Sequence, residues 1–233
     1  MLDVAGRAVM ISGSNRGIGR AIADYLLDRG YALSLGVRRP DELRNLESDR
    51  VLVTRYDAEE PATADDWLAA TLARFGKLDG LVNNAGVYLS VRIDDGKEAD
   101  FDRLWAVNVK GPLKLIQLAL PHLKNAGHGR IINLVSLAGK RVPSDNSAGY
   151  AMSKHAALAL HHASRRIGWD HGVRATAVCP GLVATDMVGW SNVPRDQMIQ
   201  PADLAEMIAT VMALPDHAVV AELMVNCRLE PTL

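Results

Sequence analysis

The feature that most limits the possible folds of this chain is a short apolar run followed by glycines and then by a helical pattern. Residues 7–12 have the composition of a buried strand, and residues 13–19 read Gly-Ser-Asn-Arg-Gly-Ile-Gly. Apolar side chains then recur at helical spacing over residues 18–26. A strand, a glycine turn and a helix N-terminus in this order can hold a phosphate against free N–H groups and the positive end of the helix dipole. The glycines are also compatible with a purely structural turn, since their spacing differs from the Gly-x-Gly-x2-Gly pattern.

The same alternation of strands and helices continues along the chain. Further strands are predicted at residues 32–37, 51–54, 78–82, 130–135, 173–179 and 219–226, and further helices at about 67–75, 98–123, 150–169 and 202–214. This alternation favours an α/β fold: a doubly wound parallel sheet of about seven strands with helices on both faces, in three layers α/β/α. No linker or repeat divides the chain, so residues 1–233 are predicted to form a single domain.

Composition and charge argue against several classes of protein. The net charge of −1 does not indicate a nucleic-acid-binding surface, and no apolar run is long enough to cross a membrane. Cys179 and Cys227 lie in apolar, strand-like runs and are interpreted as reduced thiols of a cytoplasmic protein. No spacing of cysteines or histidines indicates a metal site. The adjacent His161 and His162 point about 100° apart on a helix, so we interpret them as packing or surface residues.

Two arginines stand where the second predicted strand ends. Many dinucleotide-binding domains have an acidic residue near this point for a ribose 2′-hydroxyl, whereas this chain has Arg38 and Arg39. A guanidinium there would bind a 2′-phosphate, and Arg16 in the glycine turn could reach the same group. Although these arginines could be ordinary solvated side chains, their position favours NADP(H) over NAD(H) as the ligand.

Tyr150 and Lys154 are four residues apart in a predicted helix and therefore share one of its faces. A free tyrosine has a pKa near 10, and a nearby ammonium stabilises its phenolate. Lowering that pKa to about 7 requires about 4 kcal/mol, much of which a short, partly dehydrated contact could supply. Such a phenol can give or take a proton at neutral pH, although the same spacing also occurs by chance on amphipathic helices.

A proline interrupts the long helical segment predicted at residues 98–123. Pro112 has no N–H, so the carbonyl of Asn108 loses its partner four residues later. We expect a kink with a free acceptor in mid-helix. The bend could simply improve packing, or the carbonyl could hold a water near an active site.

Taken together, the motifs resemble those of the short-chain dehydrogenase/reductase family. The resemblance covers residues 4 to about 186 and continues more weakly beyond them. Its markers occur in the family's order: Gly13-x3-Gly17-x-Gly19, Asp57, Asn83-Asn84-Ala85-Gly86, Asn108, Ser136, Tyr150-x3-Lys154, Pro180-Gly181 and Thr185. Each marker is weak alone, but the ordered set is specific. The resemblance implies a Rossmann-like fold and hydride transfer between an NAD(P) cofactor and a carbonyl/alcohol pair.

The resemblance also implies catalytic roles for four residues. Tyr150 would be the general acid/base that protonates the carbonyl oxygen, and Ser136 would polarise that oxygen through a hydrogen bond. Lys154 would lower the pKa of Tyr150 and bind the nicotinamide ribose. Asn108 would support Lys154 through a water molecule, in agreement with the carbonyl freed by Pro112.

For the cofactor, the resemblance implies contacts along one whole edge of the predicted sheet. Asp57 would contact the adenine amino group, Asn84 and its neighbours would line the adenosine ribose, and the Val183 backbone with Thr185 would hold the nicotinamide carboxamide. The predicted cofactor-binding set is Gly13, Ser14, Asn15, Arg16, Gly17, Ile18, Gly19, Arg38, Arg39, Asp57, Ala58, Asn84, Ala85, Gly86, Tyr150, Lys154, Pro180, Gly181, Val183 and Thr185.

Two departures from the family pattern concern the C-terminal part of the sequence. The stretch between Thr185 and Pro201 is short, so the substrate pocket could be open rather than covered by a helix. Residues 226–231 read Asn-Cys-Arg-Leu-Glu-Pro and lack the usual Asp-Gly-Gly, which puts the family's interface through the last strand in doubt. We therefore expect a homodimer or homotetramer formed through the helices around residues 100–124 and 150–168.

Substrate specificity is expected in three loops, at about residues 87–96, 137–148 and 186–200. Tyr88 and Trp190 are predicted to form walls of the pocket. Arg92 and Arg141 could attract an anionic substrate or could simply be solvated loop residues.

The expected function is that of an NADP(H)-dependent oxidoreductase that interconverts a small-molecule carbonyl and an alcohol, with the substrate unidentified. An alternative is an NADP(H)-binding scaffold or redox sensor with little turnover, against which the complete set of catalytic residues argues. A nucleotide-sugar epimerase would use a similar Tyr–Lys pair, but the chain after Pro180 is too short for its sugar-nucleotide domain.

Overall fold

The computed structural model describes residues 1–229, so the last four residues of the predicted domain, including Glu230 and Pro231, lie outside the described part. The strands are β1 (Ala8–Ser12), β2 (Ala32–Val37), β3 (Val51–Arg55), β4 (Gly80–Asn83), β5 (Arg130–Leu134), β6 (Arg174–Pro180) and β7 (Glu222–Val225). The α-helices are α1 (Gly17–Asp28), α2 (Ala62–Phe75), α3 (Glu98–Trp105), α4 (Gly111–Asn125), α5 (Ala148–Gly168) and α6 (Pro201–Met212).

The seven strands form one sheet in the order β3-β2-β1-β4-β5-β6-β7, and every neighbouring pair is parallel. The chain therefore moves outward from β1 to β3, returns to the centre at β4 and continues to the opposite edge. This reversal between β1 and β4 is the point at which doubly wound sheets bind ligands, beyond the carboxyl ends of the strands. The predicted Rossmann-like parallel fold is confirmed.

Successive residues of β1 supply two separate apolar cores on opposite faces of the sheet. Val9 and Ile11 face a cluster to which α1 contributes Ile22 and α6 contributes Ile208. Met10 faces the other side, where it joins a cluster built by α2 and α4. Because side chains of a strand alternate in direction, a strand covered on both faces must be apolar throughout, as this one is. Helices thus cover both faces, and the three-layer prediction is confirmed.

The long helical segment changes its hydrogen-bond spacing just before Pro112. Between α3 and α4 the residues Ala106–Lys110 form a π-helical turn, in which the Gly111 N–H donates to the Ala106 carbonyl five residues earlier. The predicted interruption therefore takes the form of a π turn, which contains Asn108. Since π turns widen a helix locally, this one sets the position of a buried polar side chain next to the carboxyl end of β4.

Among residues 1–229, no helix combines the length and the apolar character needed to cross a lipid bilayer. Over the same range, no group of three or more histidine, cysteine, aspartate or glutamate side chains is arranged to hold a metal ion.

Candidate active site

A cleft of about 1100 Å³ opens at the carboxyl ends of the strands. Nearly all of the predicted site residues line it, and they come from the glycine turn, from the ends of β2 to β6 and from α5. The predicted residues on its wall are Gly13, Asn15, Arg16, Gly17, Ile18, Arg38, Arg39, Asp57, Ala58, Asn84, Ala85, Gly86, Ser136, Tyr150, Lys154, Pro180, Gly181, Val183 and Thr185. Three predicted residues, Ser14, Gly19 and Asn108, are not part of that wall.

The glycine turn has no room for a side chain at two of its glycines, Gly13 and Gly19. Gly13 has a φ of +68°, and a Cβ at Gly19 would lie only 2.4 Å from the carbonyl oxygen of Gly13. Both positions therefore require glycine. Helix α1 begins after Arg16 without a side-chain cap and without acidic residues in its first turn, so its N–H groups and dipole are available to an anion.

Asn84 fixes this turn to the end of β4. Its Nδ2 donates to the carbonyls of Ser12 and Gly13, at 2.9 and 3.0 Å, while the Ser12 hydroxyl accepts from the N–H groups of Asn84 and Ala85. The hydroxyl of Ser14 is completely buried in the same turn and has no hydrogen-bond partner among the described residues. The cradle thus fits a pyrophosphate, since backbone groups form it and the first turn of α1 has no acidic side chain.

The arginines predicted to bind a phosphate lie at the expected end of the cleft, but two of them are already engaged. Arg39 forms an ion pair with Glu42, with 2.7 Å between Nη2 and Oε1. Arg16 lies 3.4 Å from the carboxylate of Asp186, on the loop after β6. Arg38 is exposed on the cleft wall and forms no ion pair within the described part of the chain.

Ser136 and Tyr150 meet at the centre of the cleft. A hydrogen bond joins their side chains, and the Ser136 oxygen also accepts from the Ala138 N–H at 3.1 Å. Burial raises the pKa of Tyr150 to about 12, although the bond from Ser136 lowers it and the neighbouring Tyr88 raises it further. Tyr150 is therefore a protonated phenol at neutral pH, with Ser136 beside its oxygen.

Lys154 is buried next to Tyr150, and its ammonium lies over the Tyr150 ring while it bonds to backbone. Its Nζ donates to the Leu134 carbonyl at 2.9 Å and lies 5.7 Å from the centroid of the Tyr150 ring. Burial lowers the pKa of Lys154 to about 8, and the neighbouring Cys179 raises it by a smaller amount. The predicted fall in the Tyr150 pKa is not found here, because burial of the phenol outweighs any stabilisation of its anion.

Asn108 supports the site from behind rather than through the cleft wall. Its carboxamide bonds to the backbone of Val87 and to the hydroxyl of Ser153, one residue before Lys154. A Cβ at Gly86 would lie 3.3 Å from Asn108 Oδ1 and 3.7 Å from Lys154 Nζ, so the three residues form one compact group. The structure thus places Asn108 near Lys154, while support of Lys154 by Asn108 through a water molecule stays a prediction.

Aromatic side chains form one wall of the cleft beside Tyr150. The ring of Tyr88 packs edge-on against Tyr150, with 5.1 Å between centroids, and stacks on Trp190 at 5.5 Å. Tyr88 and Trp190 therefore lie where the sequence predicted them. Arg141 also lines the cleft, whereas Arg92 does not and forms ion pairs with carboxylates of its own loop.

Sequence reasoning missed several residues of the cleft, and two kinds of signal could have found them. Asn226 and Arg228 line the cleft just beyond β7, and the carboxyl end of any strand in a parallel sheet points to this edge. Glu42 lines it from the turn after β2, three residues beyond Arg39. Arg39 and Glu42 are three residues apart, and this spacing predicts an ion pair wherever the chain forms a helical turn.

The adjacent histidines His161 and His162 both contact groups of the protein itself. His161 is fully buried, with its ring nitrogens next to Asn133 and the Ala221 carbonyl, and His162 lies 3.1 Å from a carboxylate oxygen of Glu222. Their interpretation as packing or surface residues agrees with these contacts.

The parallel sheet and the cleft at its carboxyl edge together are those of an α/β protein with a Rossmann-type nucleotide-binding fold. The family model described as short chain dehydrogenase matches residues 7–195 of this chain. The chain therefore belongs to the short-chain dehydrogenase/reductase family, with an NAD(P)-binding Rossmann-type fold.

Comparisons with individual proteins agree with membership of this family. An agropine synthesis reductase of Rhizobium rhizogenes is 40% identical over 227 residues, which are 95% of this chain and 53% of the relative. The chain thus spans about half the length of that curated relative. An alcohol dehydrogenase of Thermococcus sibiricus complexed with 5-hydroxy-NADP is 30% identical with a TM-score of 0.86, over 94% of this chain and 95% of that one. A 3-ketoacyl-(acyl-carrier-protein) reductase of Brucella melitensis complexed with NADH is 26% identical with a TM-score of 0.87, over 96% and 98%.

Proposed function

We propose that the protein is an NADP(H)-preferring oxidoreductase that reduces a small-molecule carbonyl compound, with Tyr150 as its general acid. The observation that carries this proposal is the bond between Tyr150 and Ser136 inside a cleft that also contains the glycine turn. A proton donor and a nucleotide cradle in one cleft are what a carbonyl reduction requires.

The cofactor would lie along the cleft from the glycine turn to Tyr150. Backbone of the turn and the start of α1 would hold its pyrophosphate, Asp57 and Ala58 would border the adenine, and Thr185 would contact the carboxamide end. A bound nicotinamide dinucleotide supplies or accepts the hydride of such a reaction.

The protein's own residues would handle the proton. Because the pKa of Tyr150 is about 12, its phenol carries the proton that a reduced carbonyl oxygen needs. Ser136 would hydrogen-bond the same oxygen, and the buried ammonium of Lys154 would stabilise the phenolate left after transfer. The word reductase in the name of the Rhizobium relative favours the direction of reduction.

The preference for NADP(H) rests on Arg38, Arg39 and Arg16 at one end of the cleft. A guanidinium pairs with a 2′-phosphate, whereas an acidic residue at the end of β2 would repel it. The structural relatives include one protein complexed with an NADP derivative and one complexed with NADH.

Several wider properties stay predictions from the sequence. We propose that residues 1–233 form one domain and that the chain associates as a homodimer or homotetramer through the helices around residues 100–124 and 150–168. A cytoplasmic location is proposed from Cys179 and Cys227, both of which are free thiols.

Consumption of NADPH with a broad panel of aldehydes, ketones and quinones tests the function. Tyr150→Phe should still bind NADPH, with at most a small loss of affinity from its place in the cofactor site, but should lose turnover by about 100-fold or more, since proton transfer is removed. Tyr25→Phe is the matched control, because Tyr25 lies on α1 outside the cleft and its hydroxyl accepts a hydrogen bond from Arg29. Tight NADPH binding without turnover of any compound would instead favour the scaffold or redox-sensor function.

A further inference from the structure

The carboxylate of Glu42 contacts two residues, Arg39 and Asn15, that the proposed function assigns to cofactor binding. Its Oε1 lies 2.7 Å from Nη2 of Arg39, and its Oε2 accepts from Nδ2 of Asn15 at 3.2 Å. All three residues line the same cleft. One acidic side chain therefore joins the glycine turn to the end of β2, at the end of the cleft where the arginines lie.

The position of Glu42 follows from the local backbone. Residues Pro40–Leu46 form a 3-10 helix after β2, and the Glu42 N–H donates to the Arg39 carbonyl. Leu43, the next residue, is buried in the core and anchors this turn to the sheet. Because the buried Leu43 fixes the backbone beside it, the main chain of Glu42 is held at the arginine end of the cleft.

We propose that Glu42 is a specificity-determining residue that limits the preference for the 2′-phosphorylated cofactor. Its carboxylate competes with a 2′-phosphate for Arg39 and Asn15 and repels that phosphate directly. Arg38, which has no ion pair among residues 1–229, remains available to a phosphate. The wild-type enzyme therefore accepts both forms of the cofactor, with a smaller preference for NADP(H) than three arginines alone would give.

The opposite role makes a different prediction. If Glu42 instead held Arg39 in the orientation that a 2′-phosphate requires, removal of its charge would weaken binding of the phosphorylated ligand. The sign of the change in affinity therefore separates competition from positioning.

The test measures ligand binding by isothermal titration calorimetry with the complete chain and needs no turnover. Adenosine 2′,5′-bisphosphate represents the phosphorylated half of the cofactor, and 5′-AMP represents the unphosphorylated one. The variant is Glu42→Gln, which keeps the shape and the contact with Asn15. The matched control is Asp41→Asn, because Asp41 is an exposed neighbour that pairs with Arg44 and does not line the cleft.

Glu42→Gln should tighten binding of the bisphosphate by about three- to tenfold, with less than about a twofold change for 5′-AMP. The gain should shrink when the salt concentration is raised, since exposed charges are screened. Asp41→Asn should change neither affinity. An unchanged or weakened affinity for the bisphosphate in Glu42→Gln would overturn the inference, while binding of neither ligand by the wild type would overturn the proposed function together with it.

Discussion

The carboxamide of Asn108 forms two hydrogen bonds with the backbone of Val87. Its Nδ2 donates to the Val87 carbonyl at 3.0 Å, and its Oδ1 accepts from the Val87 N–H at 2.9 Å. Asn108 thereby pairs with the chain after β4 as another strand would, although it lies in a π turn. The loop that carries Tyr88 into the cleft is held at its start by this single side chain.

Replacement of Asn108 by alanine should therefore destabilise the protein by about 1–3 kcal/mol, because both backbone groups of Val87 lose their partner in a partly buried place. Urea unfolding measures the change in the free energy of unfolding. Asn125→Ala, at an exposed position at the end of α4, is the control and should change it by less than about 0.5 kcal/mol. Equal effects of the two substitutions would contradict a structural role of the Asn108 carboxamide.

Gly19→Ala should disrupt the nucleotide cradle. The added methyl group would lie 2.3 Å from Nδ2 of Asn84 and 2.4 Å from the Gly13 carbonyl oxygen, so the turn must move. Overpacking of this kind costs about 1–3 kcal/mol, and we expect about a tenfold or larger loss of NADPH affinity, measured by fluorescence titration.

Gly189→Ala serves as the control for that experiment. A methyl group there would meet only the Asp186 carbonyl, at an ordinary 3.4 Å, and the residue has no positive φ. Its NADPH affinity should stay near that of the wild type. If Gly19→Ala bound as tightly as Gly189→Ala, the turn would not be a tight-fitting cradle.

Acid should destabilise the fold through His161, which is fully buried and neutral. Burial lowers its pKa to about 4, and the positive charges of His162 and Arg165 act in the same direction. An unfolded histidine titrates near 6.5, so between pH 6.5 and 4 the unfolded chain binds more protons than the folded one. The stabilisation is complete above pH 6.5 and falls by about 3 kcal/mol by pH 4.

The free energy of unfolding, measured against pH, tests this contribution. His161→Gln should be less stable at pH 7 but should show a flatter decline between pH 6.5 and 4, whereas exposed His171→Gln should keep the wild-type decline. The same slope in all three proteins would mean that His161 does not carry the acid sensitivity.

Trp190→Ala should weaken substrate binding while leaving NADPH affinity nearly unchanged. The indole stacks on Tyr88, whose ring packs against Tyr150, so its loss removes an apolar surface beside the reacting group. We expect KM for an apolar carbonyl substrate to rise by about five- to tenfold with a small change in kcat.

Trp169→Ala is the matched control, because that indole is also exposed but packs on Arg174 at the far end of α5, outside the cleft. It should leave KM unchanged. A lower kcat with an unchanged KM in Trp190→Ala would assign the indole to the chemical step instead of to binding.

Most of the fold could be predicted because its signals are local. Alternating strand and helix patterns are set by neighbouring residues, and a parallel sheet covered on both faces requires apolar strands such as β1. The strand ends were less well defined: β7 is Glu222–Val225 instead of residues 219–226, since hydrogen bonding to β6 extends over only four residues. The length of an edge strand depends on how far the neighbouring strand pairs with it. The sequence of the edge strand alone does not contain that information.

The sequence by itself determined the sheet, the glycine turn, and the placement of Tyr150 and Lys154 on one face of a helix, because helical spacing fixes that relation. Only the tertiary structure decided the electrostatic state of the site. The pKa of Tyr150 rises instead of falling, since burial depends on residues brought in from distant parts of the chain. The contact of Glu42 with Asn15 likewise joins residues 27 positions apart, which no local pattern records.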